Sequence, residues 1–325
     1  MKILNNILPF LFCFSVLTAF AQERTNAKNQ DEELGKVSWY RDFDTAIALS
    51  EKNNKPILIL FQEVPGCATC RNYGHNVLSS PLMTEAIQNE FIPLAIFNNK
   101  GGNDRKILQK YKEPSWNNPV VRIVNSKGDN LVARVASDYS AKGLYDAMVK
   151  SLQISGQEIP EYMKLLGKEL SVNNTSEVKE NYYSMYCFWT GEKQLGNNEG
   201  VLNTEAGFMK GREVVKVTYV PEIISDETLT SFAKQNRMTP ITKDDSYRHS
   251  DKDEDYYLQH SDYKYLPLSK IQRTKINSAL GNRESAEKYL SPMQCKWLSE
   301  LKKSKKSSVL FNQNFKTSWE ELASK

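Results

Sequence analysis

Pro56-Ile57-Leu58-Ile59-Leu60-Phe61, followed shortly by Cys67-Ala68-Thr69-Cys70, decides how the first part of this chain is read. The apolar run has strand character, and Cys70 to Leu78 has helical character. A strand, a tight turn, two cysteines two residues apart and then a helix make a dithiol redox site. The first sulfur falls at a helix N-terminus, where free N–H groups and the helix dipole favour a thiolate. The second lies one turn in, within reach to close a disulfide. Cys67, in the turn before the helix, is therefore expected to be the more exposed, attacking thiol, and Cys70 its partner. A structural zinc site would need two more ligands, and only His75 is at hand.

The ends and composition bound the rest. Lys2, the uncharged run Ile7 to Phe20 and the small-x-small triplet Ala19-Phe20-Ala21 form a three-region secretory signal, with Gln22 as the first mature residue. The apolar run is shorter than the roughly 20 residues of a spanning helix, so we expect a periplasmic or secreted protein with no stable membrane insertion. The 325 residues carry 43 Lys and Arg against 39 Asp and Glu, a formal charge of +4. Removing Lys2 leaves too little positive charge to argue for nucleic acid. Cys67, Cys70, Cys187 and Cys295 remain after cleavage. So few cysteines in a chain long enough to bury its own cores point to sulfur chemistry rather than disulfide stapling.

Residues 22–35 are polar and read as a flexible leader. An α/β pattern begins near Val37: a helix over Asp42 to Lys52, the strand at Pro56, the CxxC helix, a helix over Met83 to Glu90, a strand over Phe91 to Phe97 and a short helix to Tyr111. Val120 to Val124 and Leu131 to Val135 read as a hairpin closed at Asn125-Ser126-Lys127-Gly128-Asp129, and Ala141 to Leu152 as a closing helix. Asn173-Asn174-Thr175-Ser176 reads as a junction. The expected division is a signal over 1–21, a leader over 22–35, a first domain over 36–160 and a second over 175–325. Val214 to Tyr219 is an alternating strand, and Ser225-Asp226-Glu227 caps a helix.

The first domain resembles the thioredoxin-like family in element order, in Cys67 and Cys70, and in Pro119 before a β run. Val64-Pro65-Gly66-Cys67 resembles a group in which the first sulfur position can be selenocysteine. The resemblance implies that Pro119 is a cis-proline beside the dithiol that helps hold a substrate peptide. Gly66 stands where the family usually has Trp, the motif lacks an internal Pro, and the family's buried acid near Phe61 is missing.

Tyr186-Cys187-Phe188-Trp189-Thr190-Gly191-Glu192 resembles the active-site segment of A-type peptide methionine sulfoxide reductases. Gly200 to Phe208 and Gly211 to Pro221 resemble that family's following stretches, and Tyr247-Arg248 its later Tyr-Arg. The resemblance implies a fold of α/β and α+β type, a thioredoxin-like domain followed by a reductase-like α+β domain. It implies Cys187 as nucleophile, Glu213 as the acid that protonates the departing oxygen, Phe188 and Trp189 as the methyl pocket and Cys295 as the resolving thiol. Phe208 replaces a tyrosine whose hydroxyl holds the sulfoxide oxygen. A thiolate attacking a sulfoxide leaves a sulfenic acid, and a carboxylic acid kept neutral by an apolar site can supply the proton. Read without the resemblance, Cys187 is a small hydrophobe in an aromatic core.

Together these readings give an exported thiol–disulfide oxidoreductase whose dithiol reduces its own second domain. Tethering would raise the local reductant to about the millimolar range. Its partners would be oxidised protein substrates and an upstream thiol reductant, with no cofactor and no metal. The competing readings are the same oxidoreductase with an inactive, partner-binding second domain, and a binding protein without catalysis. The acidic run Asp251, Asp253, Asp255 and Asp262 approaches calcium-loop spacing, but Tyr256 stands where the sharp turn needs glycine.

Overall fold

The computed structural model describes residues 24–174, 177–301 and 308–324. The expected signal segment, Thr175-Ser176 of the junction and the basic run Lys302 to Lys306 lie outside the described residues. The first half is built from α1 (Phe43–Asn53), β1 (Ile57–Gln62), α2 (Ala68–Asn76), α3 (Pro81–Glu90), β2 (Ile92–Phe97), α4 (Gly102–Lys110), β3 (Val120–Val124), β4 (Val135–Ala136) and α5 (Ala141–Ile154). The sheet order is β2-β1-β3-β4, with β1 parallel to β2 and antiparallel to β3. Every residue of β1 is buried. Helices cover both faces of the sheet, so the strand is an apolar run rather than an alternation. Leu58 and Leu60 pack with α2, α3 and α5, while Ile57, Ile59 and Phe61 pack with α1 and α4. Asp42 starts α1 by accepting the Thr45 N–H at 2.8 Å.

Two expectations change here. The leader is folded from residue 24. Glu32–Leu34 forms a 3-10 turn with Glu33 and Leu34 both 2% exposed. The Leu34 carbonyl accepts the Trp39 indole N–H at 3.0 Å, and the Gln30 side chain donates to the carbonyls of Gly35 and Val37. Leu34 and Trp39, apolar residues amid polar ones, supply the burial that the average composition hides. The returning hairpin strand is also shorter than read. The turn closes, with Asn125 N–H donating to the Asp129 carbonyl at 2.9 Å. Asn130 still bridges to Val124 and Leu131 N–H donates to the Ile123 carbonyl, but regular pairing resumes only at Val135, so β4 is two residues long.

α6 (Glu161–Asn174) follows, beyond the expected end of the first domain. Its Tyr162, Met163 and Leu166 enter the first core, while Leu165 packs with Leu202, Val220 and Ile271 of the second half. α6 is thus shared by both halves.

The second half has β5 (Lys179–Met185), α7 (Phe188–Gly196), β6 (Val201–Met209), β7 (Arg212–Tyr219), α8 (Asp226–Gln235), β8 (Thr239–Ile241), β9 (Arg248–His249), α9 (Tyr256–Gln259), α10 (Lys270–Gly281), α11 (Pro292–Leu301) and α12 (Phe315–Ser324). Its sheet runs β8-β5-β7-β6-β9, antiparallel throughout. Ser225 caps α8, as its sequence predicts. The halves are joined at α11, whose Met293 N–H donates to the buried Glu85 carboxylate of α3 at 2.8 Å. Phe315 and Trp319 of α12 pack against the first core, and Trp319 also reaches the core formed by α10 and α11.

Candidate functional site

The dithiol stands where β1 hands over to α2. Cys67 is the N-cap of α2, and its Sγ accepts the Cys70 N–H at 3.2 Å. That bond occupies one of the free donors at the helix start. Cys70 is fully buried, and Cys67 is half-buried. Burial, and then the hydrogen bond with Cys67, push the Cys70 thiol far above its ordinary range. The pair is therefore asymmetric, with one accessible sulfur and one held as a thiol.

Three loops frame the turn. The Asn99 side chain accepts the Val64 N–H at 3.3 Å and donates to the Pro65 carbonyl at 3.3 Å. The amide of Asn98 contacts that of Asn118. The Asn118–Pro119 bond is cis, and Val120 pairs with Phe61, so Pro119 stands at the dithiol end of the sheet. Val64–Pro65 is also cis.

The third element comes from the stretch read as a leader. The Glu33 carboxylate accepts the Gly66 N–H at 3.0 Å and lies 3.7 Å from the Arg71 guanidinium. A buried acid thus adjoins the dithiol turn, but it does not come from β1. Sequence reasoning missed it because Glu33 lies in a polar stretch; Leu34-Gly35 after it, an apolar residue and a helix-ending glycine, was the available signal. Trp116, 80% exposed on the loop before Pro119, was also passed over.

In the second half the structure brings together residues 25 apart in sequence. Cys187 is the N-cap of α7, and the Phe188 N–H donates to Glu213 Oε2 at 2.8 Å. Glu213 stands opposite Met185 on one side and Phe208 on the other. The Phe188 ring meets Phe208 edge-on at 5.4 Å and Trp189 at 6.1 Å. Trp189 stacks on Tyr256 at 3.9 Å, and its buried indole N–H has no partner. Two sequence candidates stand elsewhere. The Tyr247 hydroxyl donates to Glu205 at 3.3 Å. Cys295, on α11, has its Sγ 4.0 Å from the Glu287 carbonyl, and burial followed by Glu287 raises its thiol. All four described cysteines are free thiols, so Cys187 and Cys295 are not joined in this structure.

Glu192, on α7 behind Cys187, is fully buried. Its Oε2 accepts the Asp255 N–H at 3.1 Å, and Oε1 has no partner. Burial first, then the charges of Asp255 and Glu254, hold its carboxyl well above the usual range. Arg273 faces this group, at 2.7 Å from Asp255 and 3.4 Å from Glu254, and His249 contacts Glu254 at 3.1 Å. A raised carboxyl favours folding while it is protonated, so its contribution is present below the unfolded-state value and is lost as pH rises toward the folded one. We expect the urea midpoint of the native protein to fall between pH 5 and pH 8, and Glu192→Gln to reduce that fall. Identical drops in the two proteins would remove Glu192 as the cause.

Among the described residues, His249, Asp251 and Glu254 place possible metal ligands within 4.8 Å of one another. Both ring nitrogens already face carboxylates, at 2.8 and 3.1 Å. No described helix is long and apolar enough to cross a membrane.

Residues 38–126 match a Thioredoxin-like family model. Two solved structures are similar. One is described as a DsbH oxidoreductase, 18% identical, covering 36% of this chain and 85% of its own, with a TM-score of 0.31. The other is a thioredoxin from Thermus thermophilus, 17% identical, covering 37% of this chain and 90% of its own, with a TM-score of 0.32. No curated protein matches the chain. The chain thus carries a thioredoxin-like domain followed by a further α+β region.

Proposed function

We propose that this chain is an exported thiol–disulfide oxidoreductase whose Cys67–Cys70 dithiol reduces a fused peptide methionine-S-sulfoxide reductase-like second half. The observation that carries the first part is the asymmetry of the pair: Cys67 at the helix start with a backbone donor on its sulfur, Cys70 sealed beneath it. Cys67 attacks a substrate disulfide and forms a mixed disulfide; Cys70 then attacks Cys67, releasing the substrate thiol and leaving the Cys67–Cys70 disulfide. An outside thiol reductant restores the dithiol. Cys70→Ser should therefore trap partners on Cys67, read as dithiothreitol-sensitive adducts on non-reducing gels. Trapping by Cys67→Ser but not by Cys70→Ser would reverse the roles, and trapping by neither would end the reading.

The second part rests on the joining of Cys187, Phe188, Phe208 and Glu213. In the proposed step the Cys187 thiol attacks the sulfoxide sulfur. The S–O bond breaks, the oxygen passes to Cys187 as a sulfenic acid, and the substrate leaves as a thioether. Glu213 supplies a proton to the departing oxygen. Cys295 is assigned the next step: its thiol condenses with the sulfenic acid, releasing water, Cys67 then attacks that disulfide, and Cys70 resolves the mixed disulfide.

One observation favours the second reading, in which this half binds partners without turning them over. Phe208 stands opposite Glu213 without a hydroxyl, and the Tyr247 hydroxyl is engaged by Glu205. Reduction of a methionine-S-sulfoxide peptide with dithiothreitol, compared with Cys187→Ser, separates the two.

A further inference from the structure

β5 ends beside the Cys187 turn, and the residues on either side of that end share one character. Met185 pairs with Glu213 of β7, and Ser184 pairs with Thr239 of β8. Carrying the antiparallel registers on, by one step against β7 and by two against β8, sets Tyr186 between Arg212 and Arg237. Tyr186, the residue before Cys187, is 99% exposed. The three side chains line one open cleft of about 430 Å³ with Ser184 and Glu213. Among the described residues neither guanidinium has an ion-pair or hydrogen-bond partner. Lys210 nearby, by contrast, is paired with Asp244 at 2.6 Å. Glu213 is the cleft's single carboxylate, and its Oε2 is already engaged by the Phe188 N–H.

Folding of this chain gives no reason for two unpaired arginines and a solvent-facing tyrosine at that place. Arginine offers a planar fork of donors matched to carboxylates. An exposed tyrosine offers a flat apolar face with a polar tip, suited to a passing peptide chain. From this geometry we infer that the cleft selects polypeptides carrying aspartate or glutamate beside the residue presented to Cys187, with Arg212 and Arg237 as the specificity-determining residues. The inference rests on the reading of Cys187 as a reaction centre and names the substrate class of that site.

Two fluorescein-labelled nonapeptides test it, each with a central methionine sulfoxide, one flanked by aspartates and the other by lysines. Binding to the full chain is read by anisotropy, and sulfoxide reduction with dithiothreitol is read separately by mass. Exposed ion pairs contribute modestly, so the aspartate peptide should bind about tenfold more tightly than the lysine peptide at low salt. The preference should shrink as salt rises, since charges beyond roughly 10 Å are screened at 0.1 M. Arg212→Glu with Arg237→Glu should reverse it, with circular dichroism confirming the fold. Equal binding of both peptides by the native protein, or a preference that survives the double substitution, overturns the inference. The two readouts keep the questions apart: preferential binding without any reduction retires the catalytic reading and leaves the acidic recognition standing, whereas reduction of both peptides with equal affinity does the reverse.

Discussion

Phe208→Tyr is expected to raise the rate of methionine-S-sulfoxide reduction by on the order of 10²–10³, the usual worth of one donor aimed at charge developing in a transition state. The setting for that donor exists. Phe208 lies opposite Glu213 in the sheet, edge-on to Phe188, with the Arg248 guanidinium 5.8 Å from its ring centre. Phenylalanine keeps the ring and its packing and lacks the hydroxyl. As oxygen leaves the sulfoxide sulfur it gathers negative charge, and a phenolic O–H would stabilise that charge more in the transition state than in the bound substrate. Such a gain appears in kcat rather than in KM. Turnover of a methionine-S-sulfoxide peptide with dithiothreitol would be compared for the native protein, Phe208→Tyr and Cys187→Ser. If the first two both match the Cys187→Ser blank, the repair reading is wrong and the second half is a binding module.

Gly74→Ala should destabilise the first half by about 1–3 kcal/mol, the usual cost of forcing an atom into a filled space. The sign is what matters. In an exposed helix interior, alanine is better than glycine by roughly 1 kcal/mol. Were the segment before Lys36 a loose leader, the substitution would stabilise α2. In the structure a Cβ on Gly74 would lie 2.0 Å from the Glu32 carbonyl oxygen and 3.0 Å from the Glu33 carbonyl carbon. Both neighbours are backbone and cannot swing aside, so the 3-10 turn must lift off the helix. Lifting it would also draw Glu33 from the Gly66 N–H next to Cys67. The checks are the urea midpoint and the rate of proteolysis before Lys36. Unchanged proteolysis with a higher midpoint would contradict the packing described.

The dithiol was legible because its signal is local. The apolar run of β1, the CxxC spacing and the helix after it lie within one short stretch, and covering both faces of β1 needs only the helices that follow in order. The cis Asn118–Pro119 bond was expected only through the resemblance to the thioredoxin-like family. What the sequence could not show was the acid beside the turn. Glu33 belongs to a stretch whose average polarity argues against burial, and only the fit of the 3-10 turn against Gly74 puts it inside. α6 falls between the expected end of the first domain and the expected start of the second. The sequence does not show that its apolar residues serve different cores, Tyr162 and Leu166 the first and Leu165 another.

In the second half, the Cys187 segment carried its own motif, and the alternation of β7 placed Glu213 at the start of a strand. Sequence by itself therefore determined which residues are candidates for the chemistry: the two cysteines of the α2 turn and, through the resemblance, Cys187 and Glu213. Tertiary structure decided which of them meet. The register of β5 against β7 sets Glu213 under the Phe188 N–H, while the docking of α11 on Glu85 goes with Cys295 standing beside the Glu287 carbonyl. The physical reason is that residue type and local spacing are properties of a short segment, whereas strand register and helix docking depend on burying faces contributed by distant parts of the chain.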